Sequence, residues 1–166
     1  MQKITLPEML AAREARAKTQ ELLLKQYGLP LISFTLNIPG EIKTSPRLQN
    51  LFAQGLAAIE QQLALKEIAI VQKLEHHAAT GDECLLACAG DAVILKEMMT
   101  EIEEKHSLGR LMDIDVLTPA GKKLSRPHPR KCFVCGRMAA DCARSRRHTA
   151  TELTQAIKKL LDMYLR

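Results

Sequence analysis

After its first thirty residues, the chain alternates between segments with the hydrophobic spacing of a strand and segments with that of a helix. The pattern predicts a strand over 31–38, a helix over about 47–63, two strands joined by a turn within 66–89, a helix opened by Asp91, and a strand over 110–118. The predicted order is therefore β-α-β-β-α-β. This order favours one mostly antiparallel sheet with helices packed on one of its faces.

Each end of the chain carries the same signal for the start of a helix. The pairs Thr5–Glu8 and Thr149–Glu152 have the spacing of a capping box. We therefore expect an N-terminal helix within 1–28 and a C-terminal helix within 149–166. A basic segment rich in cysteine and arginine, 122–148, precedes the last helix, and its prolines oppose regular structure. A chain of 166 residues is expected to form a single domain.

Positive charge is concentrated in the basic segment. Nine Lys and Arg residues lie between Lys122 and Arg147, against the single acid Asp141, so this block carries +8 while the whole chain carries +5. A local basic block on a mildly acidic body favours a polyanionic ligand held at one place. A solvated basic surface is the alternative interpretation.

The sequence favours a cytoplasmic protein. No apolar run approaches the roughly 20 residues that cross a bilayer, so we expect no membrane contact. The N-terminal residues are charged throughout and lack the apolar centre of a secretion signal. Five cysteines, an odd number, are more typical of reduced thiols than of a disulfide framework.

Asp113 and Asp115 are the candidate catalytic residues. They lie two apart in the last predicted strand, so both side chains should point to the same face. Two carboxylates this close repel each other, and Mg²⁺ held together with substrate phosphates would compensate for that repulsion. Arg110, Arg126 and Arg130 lie near enough in sequence to bind phosphate oxygens with their guanidinium groups. An exposed strand face with two charges is the alternative.

Two further groups of residues extend this candidate site. In the loop "LNIPGEIKTSP", Lys43 can reach toward the end of the first strand, although an ordinary strand-to-helix turn would look the same. In the basic segment, the spacing of four residues could form a Cys3His zinc site. Those residues are Cys132, Cys135, Cys142 and His148. Buried inert thiols, or thiols sensitive to oxidation, are the alternative.

Three stretches of the chain, "PLISFTLNIPGEIK", "GRLMDIDV" and "RKCFVCGRMAADCARSRRH", together resemble one enzyme family. This family is the citrate lyase holo-acyl-carrier-protein synthases, or apo-citrate lyase phosphoribosyl-dephospho-CoA transferases. The resemblance implies a nucleotidyltransferase that uses 2′-(5″-triphosphoribosyl)-3′-dephospho-CoA as donor. The acceptor would be a serine of the citrate lyase acyl carrier protein (gamma chain), and diphosphate would leave.

For such an activity we expect an α+β fold with a ferredoxin-like or nucleotidyltransferase-like sheet and additional helices at both ends. Asp113 and Asp115 would hold Mg²⁺, and one of them would activate the serine. The expected substrate-binding residues are Lys43, Arg110, Arg126, Arg130, Arg144, Arg146, Arg147 and His148. The alternative function is a zinc-containing basic module that binds nucleic acid without catalysis. That function leaves the aspartate pair unexplained, because acids repel a phosphate backbone.

Overall fold

The computed structural model describes residues 1–165, which form five α-helices and four β-strands. The elements in chain order are α1 (Leu6–Tyr27), β1 (Leu31–Leu36), α2 (Pro46–Leu65), β2 (Ile70–Ala78), β3 (Gly81–Cys88), α3 (Ala92–Lys105), β4 (Met112–Leu117), α4 (Ala139–Ser145) and α5 (Ala150–Tyr164). A short 3-10 helix, Gly109–Leu111, leads into β4. The predicted α+β class and the β-α-β-β-α-β order after the first helix are confirmed.

The four strands form one antiparallel sheet in the order β2-β3-β1-β4. Strands β1 and β2 flank β3, and β3 and β4 flank β1, which is the interleaving of a ferredoxin-like sheet. Strand β4 therefore lies at an edge of the sheet, and its last residue, Leu117, forms an isolated antiparallel bridge with Lys123. In the pairing of β4 with β1, Thr35 is opposite Asp113 and Ser33 is opposite Asp115.

Helices α2, α3 and α5 share a hydrophobic core with one face of the sheet. Phe34 of β1 stacks on Phe52 of α2, with ring centroids 4.8 Å apart. Gly55 lets α2 approach closely, because a Cβ at that position would lie 2.5 Å from the Phe34 ring. Ile157 and Leu161 add α5 to this core. The aliphatic and thioether side chains buried here provide most of the hydrophobic stabilisation of the domain.

Helix α1 covers the opposite face of the sheet, whereas α2 and α3, the two helices of the predicted β-α-β-β-α-β order, lie on one face as expected. Leu23 of α1 is buried against Leu31, Leu85 and Leu117. These contacts involve only the C-terminal part of the helix, and the N-terminal part lies over the polar half of the same sheet face. The result is a pocket between α1 and the sheet.

The ends of the elements follow the predicted signals closely. Both capping boxes form, one at Thr5–Glu8 and the other at Thr149–Glu152. Gly28 ends α1 in the left-handed conformation, with φ +62°. The first and last strands are shorter than predicted. Strand β1 ends at Leu36, and the backbone before Met112 turns as a 3-10 helix rather than continuing the strand.

Candidate active site

Asp113 and Asp115 project from the same face of β4, as their spacing predicts. Met112, Ile114 and Val116 are fully buried on the other face. The two carboxylate side chains are half-buried and line a pocket of about 380 Å³ beneath the N-terminal half of α1. We call this the carboxylate pocket. It is the position where the sheet brings the two acids together with surrounding cations.

The cations of the carboxylate pocket come from three parts of the chain. They are Arg13 and Arg16 of α1, Lys43 of the loop before α2, and Lys123 of the turn after β4. Lys123 Nζ lies 3.0 Å from the Asp115 carboxylate. Within residues 1–165, no comparable ion pair or side-chain hydrogen bond involves the Asp113 carboxylate. Asp113 therefore keeps both oxygens available to a ligand.

Lys43 closes one side of this pocket, as the sequence suggested. Its Nζ donates a hydrogen bond of 2.5 Å to the carbonyl oxygen of Ile38, which orients the side chain across the loop. Burial, and then the nearby Arg13 guanidinium, lower the pKa of Lys43 below its ordinary value. An anion in the pocket would oppose both effects, so Lys43 is well placed to bind one.

Charged side chains satisfy the backbone groups along most of the exposed edge of β4, and near its end the Leu124 N–H donates to the Val116 carbonyl at 2.9 Å. The Ile114 N–H donates to Glu103 Oε1 at 2.8 Å, and the Ile114 carbonyl accepts from Lys96 Nζ at 3.2 Å. Arg130 donates to the Met112 carbonyl. Unpaired backbone groups at a sheet edge otherwise invite association with another strand. These contacts also hold β4 in the position that presents its two aspartates.

Glu103 is the centre of this edge network. Its side chain is 3% exposed and forms ion pairs with Arg130, at 2.7 Å, and with Arg126, at 3.2 Å. Burial raises the pKa of Glu103, while the Arg130 guanidinium, the Ile114 N–H and the Arg126 guanidinium oppose that rise. Burial also lowers the pKa of Lys96. The network therefore positions two of the predicted arginines beside β4.

Sequence reasoning missed Lys96, Glu103, Arg13 and Arg16. A signal for the first two exists, because they lie seven residues apart on α3 next to positions with core spacing. Charged residues at such positions are commonly paired or used at a site. Arg13 and Arg16 are three apart and share one face of α1. Nothing local in the sequence shows which face of the sheet α1 will cover.

A second pocket, of about 540 Å³, adjoins the first and has a mostly apolar lining. We call it the apolar pocket. Its wall includes Phe133 and Leu153. The Arg110 guanidinium lies 4.3 Å from the Phe133 ring centroid and also donates to the Lys131 carbonyl. Asn37 lines both the apolar and the carboxylate pocket, so the two pockets are neighbours.

The predicted arginines occupy three different positions. Arg126 and Arg130 line a third depression on the outer side of β4 that Asp113 and Asp115 also line. Arg110, Arg146 and His148 line the apolar pocket, to which Arg130 also contributes. Arg144 and Arg147 are exposed, and Arg144 forms an ion pair with Asp141. The structure thus brings the aspartates together with two of the arginines, while Arg144 and Arg147 lie at the surface.

The cysteine and histidine residues of the basic segment also come together. The possible ligand atoms of four residues all lie within 4.8 Å of one another. The four are Cys132, Cys135, Cys142 and His148.

Among the helices within residues 1–165, none combines the length and the apolar composition needed to cross a bilayer.

Comparison with known proteins gives one consistent result. A family model described as "Apo-citrate lyase phosphoribosyl-dephospho-CoA transferase" matches residues 4–164. Proteins carrying that name in Shigella boydii serotype 18, Escherichia coli O157:H7 and Shigella sonnei are each 39% identical to this chain. Each alignment spans 163 residues, which is 96% of this chain and 89% of the relative.

Proposed function

Because this chain belongs to the family of apo-citrate lyase phosphoribosyl-dephospho-CoA transferases, we propose that the carboxylate pocket is where its transfer reaction takes place. The chain is a transferase that attaches the prosthetic group to the apo-acyl carrier protein of citrate lyase. The donor is 2′-(5″-triphosphoribosyl)-3′-dephospho-CoA, and the acceptor is a serine of the gamma chain. The cysteines within residues 1–165 are all free, as is typical of the cytoplasm, where we place the reaction.

The donor groups of the carboxylate pocket fit Mg²⁺. Two carboxylates share one face of a rigid strand, and the Asp113 carboxylate is not committed to an ion pair within the described residues. Mg²⁺ prefers oxygen ligands and is commonly held by one or two carboxylates together with substrate phosphates. Asp113 and Asp115 would hold the ion, and bound Mg²⁺ supplies neutralisation of the charge on the donor phosphates.

The chain's own cations bind and orient the triphosphate. Lys43, Arg13 and Arg16 line the pocket from the side of α1 and the loop before α2, and Arg16 also pairs with Glu83 at 3.5 Å. Arg126 and Arg130 approach from the outer side of β4, where Glu103 fixes their direction. Preorganised positive groups of this kind stabilise charge that develops in a phosphoryl-transfer transition state.

The reaction is an in-line displacement at the phosphorus bonded to the 5″ oxygen of ribose. The carrier serine oxygen forms a new bond to this phosphorus, and the bond from phosphorus to the bridging oxygen of diphosphate breaks. Asp113 accepts the serine proton on the carboxylate oxygen that would not hold the ion, since no lysine pairs with this carboxylate. Diphosphate leaves with the electron pair of the broken bond. No covalent intermediate on the enzyme is needed.

The apolar pocket is suited to the dephospho-CoA part of the donor. Its apolar wall can receive the adenine ring or the pantetheine chain, and Arg110 and Arg146 at its margin can bind the CoA diphosphate. It is next to the carboxylate pocket, with which it shares Asn37. One ligand with a nucleotide end and a triphosphate end could therefore occupy both pockets.

The acceptor is expected to dock beside Lys122 and Lys123, which are exposed next to the carboxylate pocket. Acyl carrier proteins are typically acidic, so a basic surface here would steer the carrier to the reactive phosphorus. The nucleic-acid-binding alternative is not favoured. The family match spans nearly the whole chain, and the basic segment shares its pockets with two carboxylates.

One observation carries this proposal: Asp113 and Asp115 share a single pocket with Lys43, Arg13 and Arg16. The test is mass spectrometry of the purified carrier protein after incubation with the enzyme, Mg²⁺ and the triphosphate donor. We expect Asp113→Asn to slow the mass increase by about 100-fold or more, which is the usual range for loss of a proton acceptor.

The matched control is Glu97→Gln, which also converts a carboxylate to an amide but on the exposed surface of α3. We expect this variant to modify the carrier at the rate of the unaltered enzyme. Full activity in both Asp113→Asn and Asp115→Asn would exclude the carboxylate pocket as the reaction site.

A further inference from the structure

The segment that contains Cys132 and Cys135 folds as a tight hairpin. The Cys132 N–H donates to the Arg137 carbonyl at 2.6 Å, and the Ala139 N–H donates to the Arg130 carbonyl at 2.8 Å. Gly136 completes the turn with φ +71°, a conformation that glycine adopts without strain. The two thiols of this C-x2-C turn therefore lie on the same side of the hairpin.

Helix α4 and the residues after it bring in two more ligands. Cys142 lies on α4, and its Sγ is 3.4 Å from Cys135 Sγ. Arg146 adopts the left-handed conformation with φ +48°, and the Arg147 N–H bonds to the Cys142 carbonyl at 3.1 Å. This sharp turn reverses the chain and places His148 beside the three thiols.

The ligand atoms of these four residues have the separations of a metal site. All lie within 4.8 Å of one another. Tetrahedral Zn²⁺ with Zn–S bonds of about 2.3 Å places sulfur ligands about 3.8 Å apart. In addition, the Val134 N–H points at Cys132 Sγ at 3.4 Å, a contact that favours a thiolate sulfur.

A second observation points independently to a ligand at this place. The Nε2 atom of His148 is buried and has no hydrogen-bond partner among the described residues. Leaving a buried polar nitrogen without a partner is unfavourable, and most such groups in folded proteins are satisfied. A metal ion bonded to this nitrogen would satisfy it. Among the described residues, no thiol of the cluster forms a hydrogen bond with it.

We propose that Cys132, Cys135, Cys142 and His148 bind one Zn²⁺ as a closed structural site. Three thiolates and one imidazole form a soft ligand set that suits zinc, and four protein ligands leave no open position for catalysis. Each of the three thiols releases its proton to solvent as its sulfur bonds to the metal. The proposal goes beyond the transfer reaction, whose steps do not use these residues.

The site connects to the rest of the molecule through the apolar pocket. Cys132, Cys142 and His148 all contribute to the wall of that pocket, and Phe133 lies between the first two metal ligands in sequence. Zinc would therefore fix the segment that holds Phe133 beneath Arg110. Removal of the metal is expected to loosen this wall while the sheet and the carboxylate pocket stay folded.

The test measures metal directly. The unaltered chain is purified without chelator and under reducing conditions, and its metals are quantified by mass spectrometry. We expect about one equivalent of zinc per chain. Replacement by Co²⁺ should give the visible absorption of a tetrahedral site, together with thiolate-to-cobalt charge-transfer bands. These measurements use the unaltered chain, so they do not depend on whether a variant folds.

Variants then identify the ligands. Cys135→Ser changes an exposed residue and should lower bound zinc at least tenfold, while Cys135→His keeps a ligand atom and should retain most of it. Cys84→Ala is the matched control, since this thiol lies in the core and outside the ligand set. It should keep the full equivalent.

Three results would overturn the proposal. One is less than about a tenth of an equivalent of zinc in the reduced unaltered chain, together with no tetrahedral cobalt spectrum. Another is one equivalent of a different metal. The third is a disulfide between Cys135 and Cys142 that persists under the reducing conditions of the purification.

Discussion

Replacing Glu103 with alanine tests how the fold holds β4 and its two aspartates. The variant removes the acceptor of the Ile114 N–H bond and the partner of both Arg126 and Arg130, in a position where the side chain is 3% exposed. Removing one partner of a buried ion pair typically lowers the free energy of unfolding by about 3–5 kcal/mol, because the remaining charge stays buried without a partner. The orphaned Ile114 N–H would cost about 1–3 kcal/mol if counted alone.

These costs overlap, because Arg126 and Arg130 are themselves only partly buried and can turn toward water. We therefore expect Glu103→Ala to lower the free energy of unfolding by about 4 kcal/mol. Glu103→Gln retains an oxygen for the Ile114 N–H and should lower it by about 2 kcal/mol. With a urea m-value of about 2 kcal/mol per molar, the alanine variant would unfold about 2 M earlier.

The matched control is Glu104→Ala, the adjacent residue on α3. Glu104 is exposed and lies 3.7 Å from Arg126, so its loss should change the free energy of unfolding by at most about 1 kcal/mol. Urea titrations followed by circular dichroism compare the variants. If the urea midpoints of Glu103→Ala and Glu104→Ala differ by less than about 0.5 M, the edge network does not stabilise β4 as we argue.

Three other predictions test different parts of the structure. The hydrogen bond of His77 to Asp82 raises the pKa of His77. The stabilisation that this bond gives the folded state is therefore complete below pH ~6.5 and is lost as the pH rises through the folded-state pKa of His77. Asp82→Asn should lower that pKa in an NMR titration, and an unchanged midpoint would contradict the assignment. Gly109→Ala should lower the free energy of unfolding by about 3 kcal/mol in urea titrations, because the added Cβ would overlap the backbone carbonyl of Glu103. An unchanged free energy of unfolding would refute this close contact. Phe133→Ala should raise the KM for the donor at least fivefold while kcat changes less, because it removes a wall of the apolar pocket; a change confined to kcat would place the CoA part elsewhere.

The sequence predicts the order of elements and the direction of the aspartates because both depend on local spacing. Period-two alternation sends Asp113 and Asp115 to one face of β4, and Met112 and Ile114 to the core. The capping box at Thr149–Glu152 likewise forms through contacts within one helical turn. Such features need no knowledge of distant parts of the chain.

The parts that the sequence does not predict depend on how the elements pack. The order of the whole sheet makes β4 an edge strand. The buried Glu103 and Lys96 bond the free backbone groups of that edge at Ile114, so their role cannot be read from local spacing. Arg13 and Arg16 belong to the site because α1 crosses the polar face of the sheet. The cysteine spacing suggested a metal site, but the packing of α4 against the hairpin determines whether the four ligand atoms meet.

The central claim is that the donor triphosphate binds at Asp113 and Asp115. The most direct measurement is a crystal structure of the protein with the donor and Mn²⁺, in which the anomalous signal locates the ion. We predict one manganese peak bonded to the Asp113 carboxylate and to donor phosphates, with Lys43 contacting the same triphosphate. A triphosphate bound away from β4, with no metal at either aspartate, would contradict the claim.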